Sequence, residues 1–309
     1  SGHVRVYALS SGSWTQLGSD IDGEAANDRS GISVSLNAAG NRVAIGAPYN
    51  DENGSNSGHV RVYAYSDTAW TQLGSDVNGE ASNDESGISV SMNAAGDRVA
   101  IGAYYNDGNG SNAGHTRVYA YSDTAWTQLG SDIDGEAQND RSGYSVSLNS
   151  DGDRIAIGAY LNGNTNAGHT RVYAYSDTAW TQLGSDIDGE SSNDKSGWSV
   201  SLNSDGDRVA IGAIYNDASG TNAGHTRVYA YSSNSWTQLG SDIDAETAQD
   251  QSGYSVSMND AGDRVAIGAR YAEAPNDGDA GHVRLYAYSS NSWTQLGSDI
   301  DGEDGGDHS

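Results

Sequence analysis

Gly31-Ile-Ser-Val-Ser-Leu36, Asn37-Ala-Ala-Gly40 and Arg42-Val-Ala-Ile-Gly-Ala47 follow one another almost without a break, and this stretch decides the fold. Ile32, Val34 and Leu36 alternate with serines, the period of a strand with one apolar face. The turn ends in a glycine suited to positive φ, and a second strand starts at Arg42. A longer polar loop from Tyr49 to Gly58 leads into a third strand, His59-Val-Arg-Val-Tyr-Ala-Tyr65. A turn through Ser66-Asp-Thr68 gives a fourth, Trp70-Thr-Gln-Leu-Gly74. No stretch sustains a 3.6-residue apolar period, so no helix is expected.

The unit repeats. A Gly-His pair recurs with histidines at His3, His59, His115, His169, His225 and His282, at spacings of 56, 56, 54, 56 and 57. Trp-Thr-Gln-Leu-Gly recurs six times, from Trp14, Trp70, Trp126, Trp180, Trp236 and Trp293. The second-strand segment recurs five times, from Arg42, Arg98, Arg154, Arg208 and Arg264. Four antiparallel strands at this period predict an all-β chain, a β-propeller of four-stranded blades. A β-solenoid is the competing repeat fold, but its coils are shorter and lack regular tight hairpins. The expected division is one array over 1–309, with a half-blade at 1–29 and blades at 30–85, 86–141, 142–195, 196–251 and 252–309. Five full blades plus a half become six if the half is completed. Unpaired edges are avoided in soluble proteins, so a longer parent chain or a neighbouring copy is expected to complete it.

Composition narrows the function. The 309 residues carry 15 Lys+Arg against 42 Asp+Glu, a formal net charge of −27. That balance argues against nucleic acid, which needs a basic face, and against docking to an anionic membrane leaflet. There is no Cys, so disulfides, thiolate metal sites and cysteine nucleophiles are excluded. No apolar run is long enough to insert in a membrane. The opening Ser1-Gly2-His3 has neither an initiator Met nor a basic-then-apolar leader, and reads as a mature product or an excised piece.

Ser30-Gly-Ile-Ser-Val34, Val43-Ala-Ile-Gly-Ala-Pro48 and Gly58-His-Val-Arg-Val-Tyr63 together resemble an FG-GAP repeat, the blade unit of the integrin α-subunit propeller. Similar repeats occur in extracellular proteins of marine microbes. The resemblance runs through every unit and implies an extracellular or cell-surface location. Two departures stand out. Ser30, Ser86, Ser142, Ser196 and Ser252 replace the phenylalanine of the motif's name. Calcium-binding blades of the family use a long loop between the first two strands, whereas here that connection is a short turn such as Asn149-Ser-Asp-Gly-Asp153. The family's calcium site therefore does not carry over at its usual place.

Most recurring residues read as scaffold, because one active site needs only one copy. Six arginines lie on third strands (Arg5, Arg61, Arg117, Arg171, Arg227, Arg284) and five open second strands. They are expected to pair with carboxylates or carbonyls. The tryptophans are expected to pack between blades with the indole N–H on a carbonyl; a sugar-stacking platform is the sharper alternative. The Gly-His histidines are expected to close turns by backbone hydrogen bonds rather than to hold a metal. No Gly-x-Ser-x-Gly, His-Glu-x-x-His or phosphate loop is present, and the chain is expected not to be an enzyme.

The acidic loop between fourth and first strands is the most informative feature. In Asp20-Ile-Asp22-Gly-Glu24-Ala-Ala-Asn-Asp28 carboxylates fall at positions 1, 3, 5 and 9. The same spacing recurs at Asp132, Asp134, Glu136 and Asp140, and at Asp186, Asp188, Glu190 and Asp194. A last copy runs Asp299, Asp301, Glu303, Asp307. Oxygen ligands on a turning loop suit a hard cation, so Ca2+ is one reading and a solvated acidic turn the other. Strand direction places these loops beside the positions that vary between units, which carry Tyr104, Tyr144, Tyr160, Trp198 and Tyr254. Variable residues on a uniform scaffold mark the expected ligand-binding face.

Two function classes follow from the residues. One is a non-enzymatic extracellular adhesion or structural module that presents its acidic, aromatic-dotted face to a protein at the cell surface or matrix, or to a neighbouring copy through the half-blade. The other is a multivalent lectin-like propeller that binds glycans.

Overall fold

The computed structural model describes residues 1–272 and 280–304. Asp307 of the last acidic loop lies outside the described residues. All regular structure among them is β, and no helix is long and apolar enough to cross a membrane. The chain falls into two compact units, one of residues 1–144 with 177–179 and one of residues 145–176 with 180–309.

Each repeat forms an antiparallel sheet of four strands in sequence order. In the first full blade these are Ser33–Leu36, Arg42–Ala47, His59–Ser66 and Ala69–Gln72. The middle strands are buried on both sides, which explains their unbroken apolar runs. Val43, Ala44, Ile45 and Ala47 of the second strand are each at most 1% exposed. Ala44, Val60 and Val62 of this sheet, with Val77, pack against Met92, Val99, Ile101 and Tyr119 of the next. Repetition of this sheet-on-sheet burial makes the chain an all-β array of propeller-type blades.

A fifth, two-residue strand was not expected. Positions 2 and 3 of the acidic loop pair with the head of the preceding eight-residue third strand, as Val77–Asn78 does with His59 and Val60. The third strand is twice the length of the fourth, so its first half would otherwise be an unpaired edge. Position 2 is buried at Ile21, Val77, Ile133, Ile187 and Ile243, pinning the loop to the core.

Successive blades meet backbone to backbone at the two glycines of the motif. The Gly87 N–H donates to the Gly102 carbonyl at 3.0 Å within one blade. A Cβ at Gly46 would overlap the Gly87 carbonyl oxygen of the next. Ser33 Oγ donates to that same Gly87 carbonyl at 2.7 Å. The serines that replace the motif's phenylalanine lie in this crowded seam. Ser86 is fully buried, its backbone paired in a parallel bridge with Gly58, where a phenyl ring has no room.

The recurring tryptophans and arginines tie blade to blade. Trp70 Nε1 donates to Leu17 O at 2.7 Å, and Trp126, Trp236 and Trp293 make the same bond to Leu73, Leu183 and Leu239. Buried Arg61, Arg117 and Arg227 donate through Nη2 to the carbonyls of Asp22, Asn78 and Asp188 at 2.7–2.8 Å. Second-strand Arg42 and Arg208 reach the turn carbonyls of Gly96 and Gly262, both at 3.0 Å.

Candidate functional site

The four carboxylates of one acidic loop do not converge. Position 9 is buried and serves its own loop. Asp28 Oδ2 accepts the Ala25 N–H at 3.0 Å and Asn50 Nδ2 at 3.1 Å. Asp194 does the same with Ser191 N and Asn216 Nδ2, both at 3.0 Å, and Asp140 accepts Ala137 N at 2.8 Å. These aspartates satisfy backbone and amide donors that burial would otherwise strand, so Asp28, Asp140 and Asp194 act as loop clamps through Oδ2. At position 3, Asp22, Asp134 and Asp188 are strand residues with exposed side chains. Among the described residues, no three carboxylates of a single loop offer ligand atoms within 4.8 Å of one another.

Positions 1 and 5 behave differently. Asp132 and Asp186 each fix one oxygen on the glutamine four residues earlier, at 2.7 Å from Gln128 and Gln182. The other oxygen of each faces a buried histidine, His115 and His169, at 3.7 Å. Position 5 of the preceding loop reaches the same histidine: Glu80 Oε2 lies 3.8 Å from His115 Nδ1. Its other oxygen sits 3.5 Å from Arg117. In this way the fold assembles groups able to hold a metal ion, drawn from a third strand and the loops around its head. Those confined to one unit are Glu24, Glu52, His59, Asp76; Glu80, His115, Asp132; Glu190, His225, Asp242; and His282, Asp299, Asp301.

The predicted turn-closing role of the histidines does not hold where it can be read. Nδ1 of His59, His115 and His225 is buried with no hydrogen-bond partner. Burial, with help from Arg117 and Arg227, lowers His115 and His225 to about 4, so both imidazoles are neutral at pH 7. At the N-terminal end Asp20 has a different partner. Hydrogen bonds from Arg5 and then Gln16 hold its carboxyl down to about 2. Glu136 and Glu190 are exposed at position 5 of their loops, and Glu190 lies 3.4 Å from Arg227.

The variable aromatic positions do come together. In the first unit the Tyr104 ring lies 4.1 Å from Tyr105 and 5.5 Å from Tyr144, and Arg141 sits 3.8 Å over Tyr105. In the second, Trp198 bridges Tyr160 at 5.1 Å and Tyr254 at 5.7 Å. There Arg270 donates to the Tyr254 hydroxyl at 3.0 Å. Lys195 stands 5.9 Å from Tyr160, and Arg29 lies 4.6 Å over Tyr49. Arg29, Arg141, Lys195 and Arg270 are the only basic residues outside the two scaffold positions, and all four lie on these aromatic rings.

Burial also holds the Glu85 carboxyl above its ordinary value, although the Tyr104 hydroxyl, at 3.0 Å, and Arg141 oppose it. Between the unfolded and folded pKa the folded chain keeps a proton that the unfolded chain has lost, so stability falls as pH rises through that window. Glu85→Gln is therefore expected to melt about 1–2 °C above the parent at pH 7, the carboxyl being only half-buried. The gap should close near about pH 4. Melting curves at the two pH values check this, and a gap independent of pH contradicts it.

Shallow grooves recur beside the tryptophans. One of about 280 Å3 is lined by Asp20, Asp22, Tyr63 and Trp70, and one of about 170 Å3 by Asp186, Asp188, Tyr229 and Trp236.

Comparison with known proteins agrees with this anatomy. The FG-GAP repeat model matches residues 20–63 and 186–231. Both matched stretches are similar to FG-GAP repeats, and the other units carry the same motifs on the same propeller-type scaffold. No curated protein matches the sequence. Among solved structures, a putative 6-phosphogluconolactonase from Bacteroides uniformis superposes with a TM-score of 0.62 at 14% identity, over 96% of this chain and 77% of that one. Kuenenia stuttgartiensis hydrazine synthase superposes with a TM-score of 0.55 at 10% identity, over 86% of this chain and 65% of that one. At these identities the likeness shows the fold alone.

Proposed function

We propose that the protein is a non-enzymatic extracellular binding module of the adhesion or structural kind, and that it engages a protein partner through the aromatic loop face. One observation carries the reading: in a chain of net charge −27, every basic residue not used by the scaffold stands on a tyrosine ring in the loops of its own unit. Tyr, Trp and Arg are the residue types that dominate binding energy at protein interfaces. The extracellular location rests on the FG-GAP repeats. Solid-phase binding to matrix and cell-surface proteins tests the reading. Trp198→Ala is expected to weaken the interaction by at least about 10-fold while the melting midpoint stays near the parent's. Retained binding in that variant counts against the face.

The recurring Trp70 and Trp236 grooves favour a second reading, a lectin-like module with several equivalent glycan sites. A glycan array separates the two, since the adhesion reading predicts no defined sugar preference. Self-association through the half-blade finds support in Tyr7, Leu9 and Trp14, which are 46%, 59% and 69% exposed. Calcium on the exposed carboxylates is the hard-cation reading of the acidic loops. Melting in EDTA, in calcium and in NaCl of matched ionic strength tests it, and equal midpoints in the two salts remove it.

A further inference from the structure

The quartet Glu24, Glu52, His59 and Asp76 is the most complete of the histidine–carboxylate groups, and its four ligand atoms all lie within 4.8 Å of one another. His59 Nδ1 is the centre of the argument. The side chain is 1% exposed, and Nδ1 has no hydrogen-bond partner. It faces Asp76 Oδ2 at 3.5 Å, Glu24 Oε2 at 3.9 Å and Glu52 Oε2 at 4.0 Å. Hydrogen bonds of a ring nitrogen to a carboxylate are shorter, about 2.7–3.2 Å. Two ligands each about 2.1 Å from a common tetrahedral ion stand roughly 3.4 Å apart, near the observed spacing.

The carboxylates are also aimed. Asp76 has its Oδ1 held by Gln72, leaving Oδ2 toward the histidine. Glu24 has Oε1 3.5 Å from Arg61, leaving Oε2. Glu52 is held through its backbone, its N–H donating to Asn50 Oδ1 at 2.8 Å. Such outer partners orient the ligands of metal sites. Asn78 is paired across the strands with His59, and its Oδ1 is a second buried acceptor without a donor. Three carboxylates crowded around one imidazole repel one another unless a cation stands between them.

We propose that Glu24, Glu52, His59 and Asp76 bind one divalent transition-metal ion of the Zn2+ type, between two successive acidic loops. A nitrogen donor among three carboxylates selects a borderline ion over Ca2+, which takes oxygen ligands. Later blades carry Gly108 and Ala218 where the first has Glu52, so their groups hold three donors and bind more weakly. The proposal is independent of the aromatic face and stands whether or not that face binds a protein.

The test uses the full chain without a histidine tag, stripped with EDTA and re-equilibrated separately with Zn2+, Co2+ or Ca2+. One equivalent of Zn2+ is expected to survive gel filtration and to raise the melting midpoint by about 3 °C or more. Co2+ is expected to give the visible band of a four-coordinate nitrogen–oxygen site. Glu52→Gln changes an exposed residue and leaves the fold intact; it and Asp76→Asn are each expected to weaken Zn2+ by at least about 10-fold. His59→Gln is expected to abolish the Co2+ band, and Glu52→Gln supplies the answer if that variant does not fold. Absence of retained Zn2+, retention unchanged in Glu52→Gln and Asp76→Asn, or displacement of Zn2+ by equimolar Ca2+ overturns the proposal.

Discussion

Gly102→Ala is expected to lower the melting midpoint by on the order of 10 °C, a loss of about 3–5 kcal/mol from one methyl group. Gly102 lies within the second strand Arg98–Ala103, and a Cβ there would overlap the carbonyl oxygen of Gly143 and the hydroxyl of Ser89. Neither neighbour can move freely. Ser89 Oγ donates to that same Gly143 carbonyl at 2.8 Å, and the strand is hydrogen-bonded on both edges. Relief therefore requires the backbone at Gly143 to shift away from a strand that is held on both edges. The chain contains its own control. At Gly268 the only close neighbour among the described residues is the Ser255 hydroxyl, which can rotate away. Gly268→Ala is expected to cost about 1 kcal/mol or less. Circular-dichroism melting of both variants decides the matter, and equal midpoints show that the seam does not depend on glycine.

The sequence reveals features whose signal is local. Alternation in Gly31–Leu36 and the apolar run from Val43 to Ala47 set strands and burial within a few residues, and the 56-residue spacing makes them blades. The two-residue strand at Val77–Asn78 was missed because two residues carry no period. The metal groups were missed for another reason. Spacing within one loop grouped Asp20, Asp22, Glu24 and Asp28, whereas the fold takes Glu24 from one loop, Asp76 from the next and His59 from the strand between them. A signal for this was present. Each Gly-His histidine is followed two residues later by an arginine, and each position-1 aspartate is preceded by a glutamine four residues earlier. These are the partners that turn one carboxylate oxygen aside and leave the other facing the imidazole. The clamp role of Asp28 was similarly hidden, because its partner Asn50 stands 22 residues away.

Arg117→Ala is expected to cost about 3–5 kcal/mol, because it removes one member of a buried polar set and strands the others. The arginine is 6% exposed. Nη2 donates to the Asn78 carbonyl at 2.8 Å, Nη1 lies 3.5 Å from Glu80, and the guanidinium stands 5.6 Å from the Tyr119 ring. Arg61 and Arg227 repeat the arrangement with Asp22, Glu24 and Tyr63, and with Asp188, Glu190 and Tyr229. One planar group thus ties the loop of one blade to the third strand of the next. Arg117→Lys separates charge from shape. An ammonium keeps the charge but cannot reach carbonyl, carboxylate and ring at once, so lysine is expected to recover less than half of the loss. Arg117→Met keeps an apolar stem on Tyr119 and is expected to fall between lysine and alanine. Denaturant unfolding of the three variants tests the order, and a lysine variant as stable as the parent shows that a point charge is sufficient at this seam.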